Sequence, residues 1–335
     1  MNVPRFILRE WQLSDAASLV EHANNIHVWN NLRDAFPYPY TEEDGQQFIT
    51  KAMNIPKPTT LMAIEVDGKS VGSISITLHT DIERITAELG YFIGENYWNR
   101  GIMSEAVKEM VSYAFLHFPE LKKIYATPFG FNIASQRVLQ KAGFECEGIL
   151  KQTAIKNGKV IDEHYYSMLK SLWVSNVHHR FFRQEDYLLL ESLLYEAIFQ
   201  PDGAEPLPRA IIKKPEINSA IRDFGKKPDD FCLFAELNGK TVGGAWMRIS
   251  DGESKSFGYI DSETPELVIT VFKEYRNLGI GQGLMHHLID SAKGYKQISL
   301  SVDKRNYAVE MYKKFGFKIE RENEQDYAMV LKIKG

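Results

Sequence analysis

Cysteine is almost missing from this chain: Cys146 and Cys232 are the only two in 335 residues. That excludes a disulfide scaffold and an all-cysteine zinc site, and the two lie too far apart for the close pair of a zinc finger. No apolar run reaches the roughly 18 residues of a membrane-spanning helix. Met1-Asn2-Val3-Pro4-Arg5 lacks the charged-then-apolar layout of a signal peptide. Neither sign of charge prevails: 40 Lys and Arg face 44 Asp and Glu, for a net charge of −4. The balance is 17 against 20 in residues 1–172 and 23 against 24 in the remainder. With no basic half, nucleic acid and anionic membranes are not expected as partners. The expectation is a soluble, cytoplasmic protein. Apolar residues make up 44% and charged residues 25%, close to globular averages, so wholesale disorder is excluded. The length points to two domains.

In the first half, Ile7-Leu8-Arg9 reads as a strand. Trp11 to Asn25 reads as a helix with Ser14 or Asp15 as N-cap and Leu13, Ala16, Ala17, Leu19 and Val20 on one side. Residues 30–45 are loop-like, broken by Pro37 and Pro39. Thr41 opens a helix through Phe48, Ile49 and Met53. Leu61–Val66 and Ser70–Leu78 form a hairpin about Asp67-Gly68. Thr86–Gly94 is a strand and Ser104–Phe115 a helix, its apolar residues at helical spacing. A strand over Ile124–Thr127, a helix over Ile133–Ala142 and a stop at Gly143-Phe144 follow. Gly158 marks a last turn before a strand over Tyr165–Leu169.

The second half repeats this order. Tyr187–Ile198 is an amphipathic helix, and residues 200–229 are rich in proline and turn residues. Cys232–Leu237 and Thr241–Met247 form a hairpin about Asn238-Gly239. Leu267–Phe272 is a strand, Gln282–Ala292 a helix, Ile298–Val302 a strand and Tyr307–Phe315 a helix that stops at Gly316-Phe317. Gly101 pairs with Gly279, and Gly143 with Gly316, at separations of 178 and 173 positions. The boundary is expected between Trp173 and His179, giving units 1–172 and 174–335. Hairpins mixed with helices make each unit α+β.

Two strand–loop–helix junctions concentrate glycine. One runs from Leu89-Gly90-Tyr91-Phe92-Ile93 to Trp98-Asn99-Arg100-Gly101-Ile102-Met103-Ser104. The other runs from Val271-Phe272 to Arg276-Asn277-Leu278-Gly279-Ile280-Gly281-Gln282. Glycine there lets backbone N–H groups approach an anion at a helix N-terminus, which suits a phosphate or pyrophosphate. Gly279, Gly281 and Gly283 are spaced G-x-G-x-G, not the G-x-G-x-x-G of a dinucleotide fold. No P-loop string occurs.

Arg276-x-x-Gly279-x-Gly281 matches the Q/R-x-x-G-x-G/A signature of the GNAT acetyltransferases, and Tyr312-Lys313-Lys314-Phe315-Gly316-Phe317 is similar to their second signature. This resemblance covers most of residues 230–335. The first half resembles the RimJ/RimL-type branch over nearly all of residues 5–170. It does so through Leu8-Arg9-x-Trp11, Glu88-Leu89-Gly90-Tyr91, Tyr97-Trp98-Asn99-Arg100-Gly101, Ser104-Glu105-Ala106 and Asn132-x-x-Ser135. Met103 departs from the small residue usual at its position and would crowd a pyrophosphate.

The resemblance implies two tandem domains, each a mixed, mostly antiparallel sheet flanked by helices. It implies acetyl-CoA as cosubstrate, no metal, and direct transfer to a primary amine of a small molecule or protein N-terminus. Cofactor contacts would be Phe92, Ile93, Trp98 to Ser104 and Asn132 in one unit. In the other they would be Val271, Phe272 and Arg276 to Gln282. Arg276 adds charge where Trp98 cannot, so the second unit is expected to bind CoA more tightly. The amine must lose a proton, and the departing thiolate needs a donor. The resemblance makes Tyr312 the general acid of the second unit. Its counterpart Leu139 cannot donate, and Ser135 would stabilise the thiolate in the first. Glu88 and Glu266, at matching strand starts, are the candidate bases. Asn132 caps its helix or touches CoA, whereas Asn306 is one residue out of pattern. His286 and His287 read as surface and packing residues, and Cys146 and Cys232 as buried small residues without a base. Trp29, Arg33, Phe36, Tyr38, Tyr40 and Glu205 are the candidate acceptor walls. Two other readings stay open: one catalytic unit with a binding or regulatory partner unit, where Leu139 and Met103 make the first the suspect and Ser135 argues against that, and a noncatalytic interaction protein.

Overall fold

The computed structural model describes residues 3–201, 203–250 and 256–333. It divides into two compact units, Met1–Ser175 and Asn176–Gly335. The first contains β1 (Ile7–Arg9), α1 (Ala16–Ala23), α2 (Ile26–Trp29), α3 (Glu42–Met53), β2 (Leu61–Val66), β3 (Lys69–Leu78), β4 (Thr86–Ile93) and α4 (Ile102–His117). It continues with β5 (Lys123–Ala126), α5 (Ile133–Lys141), β6 (Glu145–Lys156), β7 (Lys159–Leu169) and α6 (Lys170–Ser175). Its seven strands are ordered β1-β2-β3-β4-β5-β7-β6, and β4 pairs with β5 in parallel.

The second unit contains β8 (Val177–Phe181), α7 (Tyr187–Ala197), α8 (Pro215–Asn218), β9 (Phe231–Leu237), β10 (Lys240–Arg248) and β11 (Glu266–Val271). It closes with α9 (Ile280–Ser291), β12 (Gln297–Asp303), α10 (Ala308–Lys314), β13 (Lys318–Glu322) and β14 (Asp326–Lys332). Its strand order, β13-β14-β12-β11-β10-β9-β8, places a parallel β11–β12 pair at the same point. Both units are α+β: mostly antiparallel sheets, flanked by helices.

Several expectations need correcting. The helix expected over Trp11–Asn25 is a 3-10 turn at Leu13–Asp15, then α1, then α2. The tighter turn takes Leu13 off the apolar stripe, and both Leu13 and Ala17 are exposed. The strand expected at Tyr165 begins at Lys159 and pairs with β6 in a long hairpin. Because β6 is an edge strand, Cys146 on it is exposed, whereas Cys232 is buried with its thiol pKa pushed up by desolvation. Trp173, at the expected junction, is buried in the first unit, 5.4 Å from the Phe115 ring.

The same ion-pair device locks the first strand of each unit to its first helix. Arg9 forks onto Asp15 at 2.7 Å through both terminal nitrogens and bonds Glu65 through Nε. Arg180 repeats this with Asp186 at 2.6 and 2.9 Å and Glu236 at 2.5 Å. Each member of the second set lies 171 positions after its counterpart. The Arg180 bonds hold the Asp186 carboxyl below its ordinary range. Burial pulls Asp15 upward, but the Arg9 and Gln12 bonds outweigh it and leave it depressed.

A depressed carboxyl stabilises the fold above its unfolded pKa and loses that contribution as pH falls through its folded value. Both units should therefore hold this contribution at neutral pH and lose it below about pH 4. Arg180→Ala strands a largely buried aspartate and should destabilise the second unit by about 3 kcal/mol in urea unfolding at pH 7. The difference from the parent protein should shrink in titrations below about pH 4. A pH-independent difference would contradict the assignment.

Candidate active site

The site begins where two parallel strands part. β4 and β5 pair from Thr86 and Lys123 as far as Glu88 and Tyr125, and β4 then runs on through Leu89–Ile93. β5 ends at Ala126. A cleft of about 510 Å³ opens there, with Leu89–Ile93 on one wall and Ala126–Phe129 on the other. On its other side β4 is held by close backbone packing against β3. Gly72 faces Ile93, and a Cβ at Gly72 would lie 2.4 Å from the Phe92 carbonyl oxygen. Gly243 faces Val271 with the same restriction, 2.6 Å from the Thr270 oxygen.

The two glycine turns have one conformation. Asn99 and Asn277 have φ of 59° and 62°, and Gly101 and Gly279, N-caps of α4 and α9, have φ of 81° and 80°. This left-handed cap bends the chain so that the first N–H groups of the helix, which lack intrahelical acceptors, face away from it. Trp98, Asn99, Gly101, Ile102, Met103 and Ser104 line the cleft with Phe92, Ile93 and Asn132. Arg100 is exposed, its guanidinium 5.3 Å from the Tyr97 ring. The Met103 side chain is buried, 7% exposed, which limits the crowding expected of it. Two cations absent from the expected set, Arg137 and Lys141, also line the cleft from α5. Lys141 belongs to the string running from Asn132 to Phe144 through which the first half resembles the RimJ/RimL-type branch; nothing in the sequence marked Arg137.

Trp98 and Arg276 share a role that their side chains disguise. Trp98 Nε1 donates to the Ile93 carbonyl at 2.9 Å, and Arg276 Nε donates to the Val271 carbonyl at 3.0 Å. Each pins its turn to the end of the preceding strand. Arg276 Nη2 also pairs with Glu196 at 2.6 Å. Its charge is already matched, which removes the reason for expecting tighter CoA binding there. In the same turn Asn277, Gly279 and Gln282 are exposed, Leu278 and Gly281 half-buried and Ile280 buried. Phe272 packs on the core that holds Trp246 and Phe234.

Ser135 lies in the first turn of α5, where Asn132 caps the helix by accepting from the Ser135 N–H at 3.0 Å. The Ser135 hydroxyl is 2.8 Å from the Tyr91 phenol on β4. Burial pushes the Tyr91 pKa up, so the phenol keeps its proton at neutral pH. Glu88, at the mouth where the strands part, accepts from Arg33 at 2.8 Å and from Thr127 at 3.4 Å. Ser135, Tyr91, Glu88 and Arg33 thus share one cleft.

The second unit is arranged differently. Tyr312 is 7% exposed, packs edge-on against Phe317, and has its phenol pKa raised by burial. Its counterpart Leu139 is fully buried. Glu266 accepts from the Ser256 hydroxyl and, at 2.9 Å, from the Gly258 N–H, and desolvation raises its pKa. The cavity beside it measures about 20 Å³, room for a single water. His286 and His287 are exposed and pack on Phe315 and His179.

Of the acceptor-wall candidates, only Arg33 lines the cleft. Trp29, Phe36, Tyr38 and Tyr40 buttress its loop instead: Phe36 stacks on Tyr40 at 4.8 Å, and Trp29 packs near Tyr38. Lys156, from the tip of the β6–β7 hairpin, sits 3.5 Å from the Trp29 ring centre and 2.7 Å from Asp34. Glu205 is exposed in the second unit.

The acetyltransferase (GNAT) domain model matches residues 5–145, and the acetyltransferase (GNAT) family model matches residues 194–317. The chain carries two GNAT acetyltransferase domains in tandem. The uncharacterized N-acetyltransferase YnaD of Bacillus subtilis is 28% identical over 169 residues, covering 50% of this chain and 96% of that protein. The L-amino acid N-acetyltransferase AaaT of Escherichia coli is 30% identical over 106 residues, covering 31% and 65%. The structure of Mycobacterium smegmatis RimJ with CoA-disulfide aligns at 22% identity and a TM-score of 0.44, covering 50% and 83%. GNAT enzymes transfer acetyl from acetyl-CoA. Among the described residues no helix is long and apolar enough to cross a membrane.

In this GNAT fold the close approach at Gly72 should be sensitive. Gly72→Ala forces β4 away and should lower stability by about 1–3 kcal/mol and weaken acetyl-CoA binding. Thermal unfolding and calorimetric titration would check both.

Proposed function

We infer that the chain is an acetyl-CoA-dependent N-acetyltransferase whose first unit transfers acetyl directly to a primary amine. The observation that carries this is the single cleft that joins the Gly101 turn, Ser135 and Glu88. The fit to the cosubstrate rests on chemistry present in the chain. An anion is favoured at the N-terminus of the 16-residue α4, and Arg137 and Lys141 add positive charge on the same cleft.

The roles follow from proton bookkeeping. An ammonium has no lone pair, so the amine must first release a proton, and Glu88 is the carboxylate in the cleft able to take it. The neutral nitrogen attacks the thioester carbonyl and the N–C bond forms; as the C–S bond breaks the nitrogen releases its second proton, which leaves on the sulfur as the thiol, while the first passes from Glu88 to solvent. The leaving sulfur needs a donor. The Tyr91 phenol, which also donates to the Ser135 carbonyl at 3.3 Å, holds the Ser135 hydroxyl at 2.8 Å, and in the arrangement proposed the Ser135 proton turns to the thiolate. Tyr91 is a positioning residue here; Ser135 is the catalytic one.

A second reading has both units turning over, with Tyr312 as general acid and Glu266 as base in the second. The first unit is favoured as sole catalyst, with the second binding or regulatory, by its cleft of about 510 Å³ against a cavity of about 20 Å³ beside the buried Glu266. The two domains proposed are those expected from the sequence, 1–172 and 174–335, with the boundary moved past Trp173 because that side chain is buried against Phe115 in the first unit.

Titration of acetyl-CoA into the full chain should give one site, abolished by a Gly101 substitution and kept in Tyr312→Phe. Two sites would favour the double enzyme. Ser135→Ala should lower kcat by about 10²-fold with acetyl-CoA affinity unchanged. Tyr91→Phe should lower kcat by a smaller factor and leave the acetyl-CoA KM alone. Equal turnover in the Ser135 variant at saturating acceptor would reject the assignment.

A further inference from the structure

The mouth of the cleft holds opposite charges side by side. Glu88 is the only carboxylate among the lining residues, and it is paired with Arg33. Both Arg33 bonds, to Glu88 at 2.8 Å and to Thr127 at 3.2 Å, come from Nη2. Nε and Nη1 have no hydrogen-bond partner among the described residues. The side chain is 66% exposed, yet its loop is fixed from below by Lys156, Trp29 and Asp34.

This pairing discriminates among amines. A polyamine would bring a second ammonium toward Arg33 and be repelled. A peptide N-terminus would offer the guanidinium only a neutral carbonyl. An amine with a carboxylate on the adjacent carbon answers both groups. Its ammonium replaces Arg33 at Glu88, and its carboxylate takes the guanidinium edge this releases, Nη2 together with the unpaired Nη1, in a bidentate contact. One ion pair is exchanged for two, and no charge is left without a partner. We propose that the acceptor is a small zwitterion, an α-amino acid, with its carboxylate on Arg33 and its nitrogen on Glu88. The inference rests on the acetyltransferase reading above and names the substrate class of that same cleft. Arg33 is then the residue that sets specificity.

The test is thiol release by the full chain from acetyl-CoA with a panel of L-amino acids, their matched C-terminal amides and their decarboxylated amines. Acetyl-CoA binding is measured in parallel by calorimetry. The acid should exceed its amide and its decarboxylated amine by about 10–100-fold in kcat/KM. Arg33→Ala should raise the KM of the acid and bring that ratio toward one, and Arg33→Lys should restore part of it. Equal rates for acid and amide, or an unchanged ratio in Arg33→Ala, overturn the zwitterion and leave the acetyltransferase standing. Acetyl-CoA binding without turnover of any amino acid also overturns it. No acetyl-CoA binding at all removes the cleft's proposed function and this inference together.

Discussion

The site depends on a single constraint, that β4 outlasts its parallel partner. Pairing stops at Glu88 and Tyr125, and the backbone beyond has no strand partner on that side among the described residues. Unpaired buried backbone is costly, so such a gap persists only where solvent or a ligand fills it. The rest of the unit supports the gap. Gly72 lets β3 and β4 stay in contact up to Ile93. Trp98 ties the turn back to the Ile93 carbonyl, and Gly101 turns the start of α4 onto the opening. Ser135 arrives on α5, capped by Asn132, with its hydroxyl against the β4 phenol.

The second unit keeps the scaffold but has spent its polar groups internally. Arg276 makes the Trp98 contact and answers Glu196; Glu266 answers Ser256 and Gly258. Glu88 and Arg33 are paired as well, but with each other at the mouth of an open cleft, whereas Glu266 is held beside a cavity of about 20 Å³. The same turn conformation thus stands beside differently partnered side chains in the two units.

Local signals were legible in the chain. Both hairpins with their Asp-Gly and Asn-Gly turns, the Thr41 cap and the two glycine turns are written in adjacent residues, and the structure has them close to those positions. What failed needed partners distant in sequence. β6 carries no alternating pattern because it is an edge strand exposed along most of its length, so it and the environment of Cys146 were misread. The Arg276–Glu196 and Arg33–Glu88 pairs join residues brought together only by the fold. Leu13 was assigned to the apolar stripe because helical spacing cannot reveal a 3-10 start.

The duplicated ion-pair device also records where length has changed. From Arg9 and Arg180 through Glu65 and Glu236 to Gly72 and Gly243, the two halves keep step. By Glu88 and Glu266 the step has lengthened, and by Gly143 and Gly316 it has shortened again. The first change falls in the connection between β3 and β4, or β10 and β11, just ahead of the strand that carries the carboxylate. Divergence in length between the copies has therefore entered in the connection ahead of that strand, while the ion-pair frame kept its register. A frame of this kind holds the register of both copies while the connections between their strands change length.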